Sequence, residues 1–189
     1  MLRHMPGDIE KRRFSADEYQ LMGQVGIFSG DDRVELIDGE VVEMRPIGPV
    51  HAAAVTRATH ALVRAAGAHA CIRVQTPVRL DDRSEPQPDL VIARFREDFY
   101  RNAHPQPADI LLVIEIADAS LRYDRQIKAP LYARHGIIEY WLVDLASREI
   151  TCHAIPKEGS YRESTVHGPG EARAPRSLPD CRIAADDLL

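Results

Sequence analysis

The run Ile110-Leu111-Leu112-Val113-Ile114-Glu115-Ile116 constrains this chain more than any other segment. Apolar residues packed this densely read as a strand covered on both faces, and such strands lie in the middle of a sheet flanked by helices. The run is too short to span a membrane, which takes about 20 apolar residues. Glu115 interrupts it. An ionised carboxylate with no partner is costly in an apolar interior. Either the strand ends there and the acid reaches solvent, or the acid meets a cation.

The rest of the chain supplies the layers such a strand needs. Ser15-Ala-Asp-Glu18 fits a capping box, so a short helix starts there. Val34-Glu-Leu-Ile37 and Glu40-Val-Val-Glu-Met44 flank Asp38-Gly39, the signature of a type I′ hairpin. His51 to Ala66 is alanine-rich and reads as a helix stopped by Gly67. Short strands are predicted at 71–75, at Val78-Arg79-Leu80 and at Asp89–Ala93, and a charged loop over 94–109. Tyr123, Ile127 and Leu131 recur at helical spacing, with a kink or late start expected at Pro130. Ile138–Leu145 is a second apolar strand, and Glu149–Ala154 returns beside it. Beyond Gly159 the chain is polar and shows little pattern. The order predicts an α/β (α+β) protein with a central mixed sheet flanked by helices, preceded by a helix and a β-hairpin. It also predicts one domain over 15–158, a tail over 1–14, and a C-terminal extension over 159–189 packed on the same domain.

Composition narrows the function. The 189 residues carry a net charge of -5, so the protein is no polycation that coats nucleic acid. Any phosphate-binding surface must be local. Arg122, Arg125, Lys128 and Arg134 with the single acid Asp124 form one such stretch. Three widely spaced cysteines make neither a disulfide framework nor a zinc pattern. Met1–Arg13 is mostly polar and unlike a secretion signal, so the cytoplasm is the expected location, with no membrane contact.

Asp89 opens a strand just after Pro88, and Glu115 stands late in another. Two acids at the ends of neighbouring strands repel, and a divalent cation such as Mg²⁺ is the simple remedy. Lys128 follows Asp124 by one turn, which fits a surface ion pair as well as a catalytic cation. Glu40 starts the second hairpin strand, with Glu35 and Glu43 as equally available carboxylates. His51 and His60 fall on opposite sides of one helix and cannot pair on a metal. His51, at the helix start, is the candidate kept.

Several segments together resemble the Uma-two family of restriction-endonuclease-like proteins, a branch of the PD-(D/E)xK nucleases. They are Val34–Glu40, His51, Gln87–Ile92, Leu112–Ser120, Tyr123–Ala133 and Gly136–Asp144. The resemblance implies a restriction-endonuclease-like core and Mg²⁺-dependent cleavage of phosphodiesters, with Mn²⁺ able to substitute. It makes Asp89 and Glu115 metal ligands, with the Ile116 carbonyl as a further one and Glu40 as the upstream acid. The superfamily lysine would stand at position 117, but Ala117 is there. Lys128, from the following helix, is its replacement in this family. Tyr123 and Asp124 lie in matched segments and are secondary candidates, while Arg122 and Arg125 are candidates for backbone phosphate contacts. The partner implied is nucleic acid, taken as DNA, cut by a homodimer. Two rival readings remain: a non-catalytic binding or assembly module on the same fold, and a metal-dependent phosphodiesterase acting on RNA or small nucleotides.

Overall fold

A computed structural model describes residues 11–29 and 31–189. Of the tail expected over 1–14, residues 1–10 lie outside the described residues.

Helix α1 (Ala16–Gln24) begins where the capping box places it. The Glu18 N–H donates to Ser15 Oγ at 3.1 Å, and the Ser15 N–H donates to Glu18 Oε2 at 2.9 Å. Strands β1 (Val34–Ile37) and β2 (Glu40–Glu43) form the hairpin in the register Ile37 to Glu40. Asp38 (φ 52°) and Gly39 (φ 78°) both take the positive φ that a type I′ turn demands. A Cβ on Gly39 would also sit 2.7 Å from the Arg13 Cβ.

Helix α2 (Pro49–Ala66) buries Ala54, Val55, Ala58, Ala61, Leu62 and Ala66, mostly small residues that let it lie close on the sheet. The sheet has six strands in sequence order: β3 (Ala70–Val74), β4 (Leu90–Arg94), β5 (Ile110–Ala117), β6 (Glu139–Asp144), β7 (Glu149–Lys157) and β8 (Ser160–His167). Every pairing is antiparallel except β5 with β6. That parallel pair needs a crossover, and the helical segment over 121–134 supplies it.

All eight residues of β5 are buried, as its composition predicts. Side-chain alternation sends Leu112, Ile114 and Ile116 to a core beneath α2 and the C-terminal residues Cys181–Leu189. Val113 and Ala117 go to the other face, against Leu131, Tyr132 and Tyr140. Glu115 has the parity of that second face, the one the crossover covers. Cys71, Cys152 and Cys181 are free and buried.

Two segments differ from the sequence pattern. Val78–Leu80 is not a strand: the N–H groups of Val78 and Leu80 bond to the carbonyls of Pro86 and Ser84 within one loop. Pro77, Pro86 and Pro88 remove donors that a ladder there would require. Residues 160–167, polar and patternless in sequence, form β8, joined to β7 through Glu158 (φ 52°) and Gly159 (φ 75°). This strand is exposed on both faces along most of its length, so no apolar alternation marks it. A short ribbon of β9 (Ala172–Arg173) and β10 (Ile183–Ala184) follows.

The crossover is continuous rather than broken at Pro130. It runs as α3 (Leu121–Tyr123), a π-helical turn (Asp124–Lys128) and α4 (Ala129–Arg134). The Ala129 N–H reaches back five residues to the Asp124 carbonyl. Pro130 has no N–H to give and crowds the carbonyl one α-turn back, and the widened turn absorbs both effects.

Candidate active site

The site begins with the register of two strands. Leu90 pairs with Ile114 across β4 and β5, so Asp89, one residue before β4, arrives beside Glu115. Their backbones interlock there. The Asp89 N–H donates to Glu115 Oε2 at 3.3 Å, and the Ile116 N–H donates to Asp89 Oδ2 at 2.9 Å. The other Asp89 oxygen lies 2.9 Å from His51 Nε2, at the start of α2, and 3.3 Å from the Gln75 amide nitrogen. Gln75 holds a positive φ of 46°, an uncommon conformation for a side chain of this kind. Its carbonyl accepts from the Gln87 side chain at 2.6 Å and its N–H donates to the Asp89 carbonyl at 2.9 Å, which fixes the bend.

The crossover supplies the cation. Lys128 and Tyr132 lie one turn apart, and both reach Glu115 Oε1, at 3.0 Å and 2.8 Å. Lys128 Nζ also lies 3.1 Å from Glu35 Oε2. Glu35, on β1, further accepts from the Gln87 N–H at 3.1 Å and the Tyr123 hydroxyl at 3.4 Å. Asp124 is buried in the π turn and accepts from the Ser120 hydroxyl at 2.5 Å.

Four acids thus surround one lysine and one histidine. Burial pushes the Glu115 carboxyl up to about 8. The Lys128 charge opposes that rise, while Asp124, Asp89 and Glu35 add to it. Burial likewise raises Asp124, with Lys128 and Ser120 pulling the other way. Burial also acts to raise Asp89, but the hydrogen bond and charge of His51, with the Ile116 N–H and the Gln75 amide, outweigh it and hold the carboxyl below its usual range. His51 is raised in turn, first by its bond to Asp89. Lys128 loses something to burial, yet Glu115, Glu35 and Asp124 keep it firmly protonated.

This centre opens into a cleft of about 550 Å³ between the hairpin, the start of α2 and the crossover. Among the described residues, no three His, Cys, Asp or Glu side chains converge as ligands of one ion. A hard cation needs fewer, because magnesium keeps several waters and takes one or two carboxylates. The donors here are carboxylate oxygens beside the Ile116 backbone, in a cluster with more acids than cations. That donor set fits an oxygen-seeking divalent ion.

Of the residues singled out in the sequence, the structure brings together Asp89, Glu115, Ile116, Lys128, His51, Tyr123 and Asp124, with Arg122 lining the same cleft. Two are not brought there. Glu40 shares the face of Glu35 but stands two residues further along, beside the hairpin turn, where it is exposed and pairs with Arg13 at 3.2 Å. Arg125 is exposed and acts on Asp144 and His153 instead. Sequence reasoning left Glu35 undistinguished and passed over Gln75, Gln87 and Tyr132. Glu35 left no signal that Glu40 lacked, since both share the hairpin face of Ile37. Gln87 and Tyr132 lie within the matched segments without being singled out, and Gln75 left no signal.

Acids from β1, β5 and the residue before β4, with a lysine from the crossover, meet beside a mixed sheet, and comparison with known proteins places this α/β protein in the restriction-endonuclease-like class. The structure is similar to that of a "putative nuclease belonging to DUF820" from Anabaena variabilis ATCC 29413, with a TM-score of 0.70 and 15% sequence identity over 93% of this chain and 97% of that one. At that identity the likeness is one of fold. The chain belongs to the Uma2 family, described as "Putative restriction endonuclease", whose model matches residues 16–186. No curated protein matches it. Among the described residues, no helix is long and apolar enough to cross a membrane.

Proposed function

We propose that this protein is a Mg²⁺-dependent endonuclease that hydrolyses phosphodiester bonds in DNA. The observation that carries the reading is the meeting of Asp89 and Glu115, from different strands, beside a buried lysine at the floor of a cleft. Asp89, Glu115 and the Ile116 carbonyl would hold the metal, which when bound polarises the phosphate and makes a water nucleophilic at neutral pH. His51 and Gln75 orient the Asp89 carboxyl, and Tyr132 orients that of Glu115. Lys128 has three N–H donors and spends one each on Glu115 and Glu35, leaving the third for the phosphoryl oxygen that gains charge as the bond breaks. Glu35 keeps that lysine charged and in place. Arg122, which lines the cleft, would hold a flanking phosphate.

The rival binding-module reading would be favoured by acids standing apart or tied to arginines. Instead the Asp89 N–H donates to the Glu115 carboxylate, and their cationic neighbours are His51 and Lys128. The test is cleavage of single-stranded DNA and of supercoiled plasmid with Mg²⁺ or Mn²⁺ by wild type, Asp89→Ala and Glu115→Ala. Wild type should cut and the folded variants should not; equal cutting by all three defeats the assignment. The homodimer belongs to the same reading. Its measurement is the mass of the protein in solution, with a two-fold dimer expected.

A further inference from the structure

The cleft has a second lining that hydrolysis does not require. Met44, Pro46 and Ile47, from the connection between β2 and α2, and Ile127, from the π turn, all line it. Ile47 is 39% and Ile127 44% exposed, whereas Glu35, Glu115 and Lys128 are 1%, 3% and 5% exposed. The acids therefore lie at the floor and the apolar residues at the mouth. Arg33, Arg45 and Arg122 share this mouth with the acids Glu43 and Asp118. Arg33 and Arg122 spend hydrogen bonds on uncharged groups, the Arg45 carbonyl at 2.9 Å and the Gln126 side chain at 3.1 Å.

A phosphodiester reaches the buried centre only by entering the cleft. Its volume falls in the range of about 300–1,000 Å³ that encloses one small molecule. A duplex is a rod with its bases stacked inside, and it offers nothing to an apolar ledge. An unpaired nucleotide offers the apolar face of its base to the ledge and a flexible phosphate to the floor, with neighbouring phosphates left for the arginines. We infer that the substrate is an unpaired nucleic-acid strand, one nucleotide of which enters the cleft with its base on the Ile47–Ile127 ledge and its neighbouring phosphates on Arg45 and Arg122. The inference rests on the nuclease reading of the same site.

Binding and cleavage test the two separately. Fluorescence anisotropy in EDTA compares the wild-type protein on a single-stranded DNA, an RNA of the same sequence, the matching duplex, and that duplex with a central unpaired bulge. Single strands and the bulge should bind about tenfold or more tighter than the duplex, and the DNA and RNA arms identify the preferred sugar. The double variant Ile47→Ser/Ile127→Ser, which removes the apolar contact of two half-exposed isoleucines, should lose about tenfold in strand affinity. Duplex binding equal to or tighter than strand binding, or an unchanged affinity in the double variant, overturns the inference. The same oligonucleotides incubated with Mg²⁺ or Mn²⁺ report on the nuclease reading. Strand-selective binding without cleavage of any of them would refute hydrolysis and leave the strand site standing.

Discussion

Glu115 on β5 and Glu139 on β6 are both buried glutamates on neighbouring strands, at 3% and 0% exposure. Their surroundings differ in kind. Glu139 accepts from the Trp141 indole N–H at 2.8 Å and from the Arg176 backbone N–H at 2.7 Å, one donor for each oxygen. It ties the C-terminal segment to the sheet. Glu115 shares a single lysine with Glu35 while Asp124 and Asp89 stand close by, and it faces a cleft. A carboxylate whose partners are neutral N–H groups is a structural pin. One crowded by other acids has fewer cations around it than carboxylates. Burial alone does not separate the two cases, whereas the charge balance around each does.

The sharpest way to break this comparison is activity. Asp89→Asn and Glu115→Gln should abolish metal-dependent cleavage while the thermal transition stays cooperative. Lys128→Met should slow cleavage by about 10²–10³-fold, the usual loss for a donor aimed at developing charge. Glu35→Gln, which touches the site through Lys128, should cost about 10–100-fold. Turnover assays on circular dichroism-checked protein measure all four, and full activity in Lys128→Met would remove lysine from the mechanism.

Next comes the pin. Glu139→Ala strands the buried Trp141 indole N–H and releases the Arg176 N–H, and should cost about 2 kcal/mol, a drop of roughly 4–8 °C in Tm. Cleavage per folded molecule should be unchanged. A Tm within a degree of wild type would show that Glu139 pins nothing.

A smaller effect, measured in EDTA, depends on pH through Glu115. The Glu115 carboxyl, raised from 4.5 to about 8, is bound to its proton more tightly in the folded protein than in the unfolded one. Its favourable contribution is complete below the unfolded value and is lost as pH rises through about 8. Wild-type Tm should therefore fall between about pH 5 and about pH 9, and less steeply in Glu115→Gln. Parallel pH profiles would contradict the crowding described here. The smallest effect is expected at Glu40. Its exposed pair with Arg13 is worth at most about 1 kcal/mol, so Glu40→Ala should change Tm by no more than about 4 °C and leave cleavage intact.

Local signals carried most of the fold. The capping box at Ser15, the Asp38-Gly39 turn, the stop at Gly67 and the density of Ile110–Ile116 each act over a few residues, and each element stands where those signals place it. Val78–Leu80 misled because flanking prolines removed its partners' donors. Strand β8 went unread because an edge strand exposed on both faces has no reason to alternate. In the site, Asp89 and Glu115 stood out as acids bordering apolar strands, and the resemblance pointed to Lys128. Glu35 could not be told from Glu40 along the chain, since both lie on one hairpin face.

What the sequence by itself determined was the set of elements and the presence of an acid in the central strand, because those depend on periodicity and turn chemistry within short windows. Only the tertiary structure decided which carboxylates meet. The register of β4 against β5 brings Asp89 to Glu115, and the π turn before Pro130 aims Lys128 between Glu115 and Glu35. Whether an acid is pinned or left short of cations depends on charges contributed by segments far apart in the chain, and their distances exist only once the sheet and its crossover have packed.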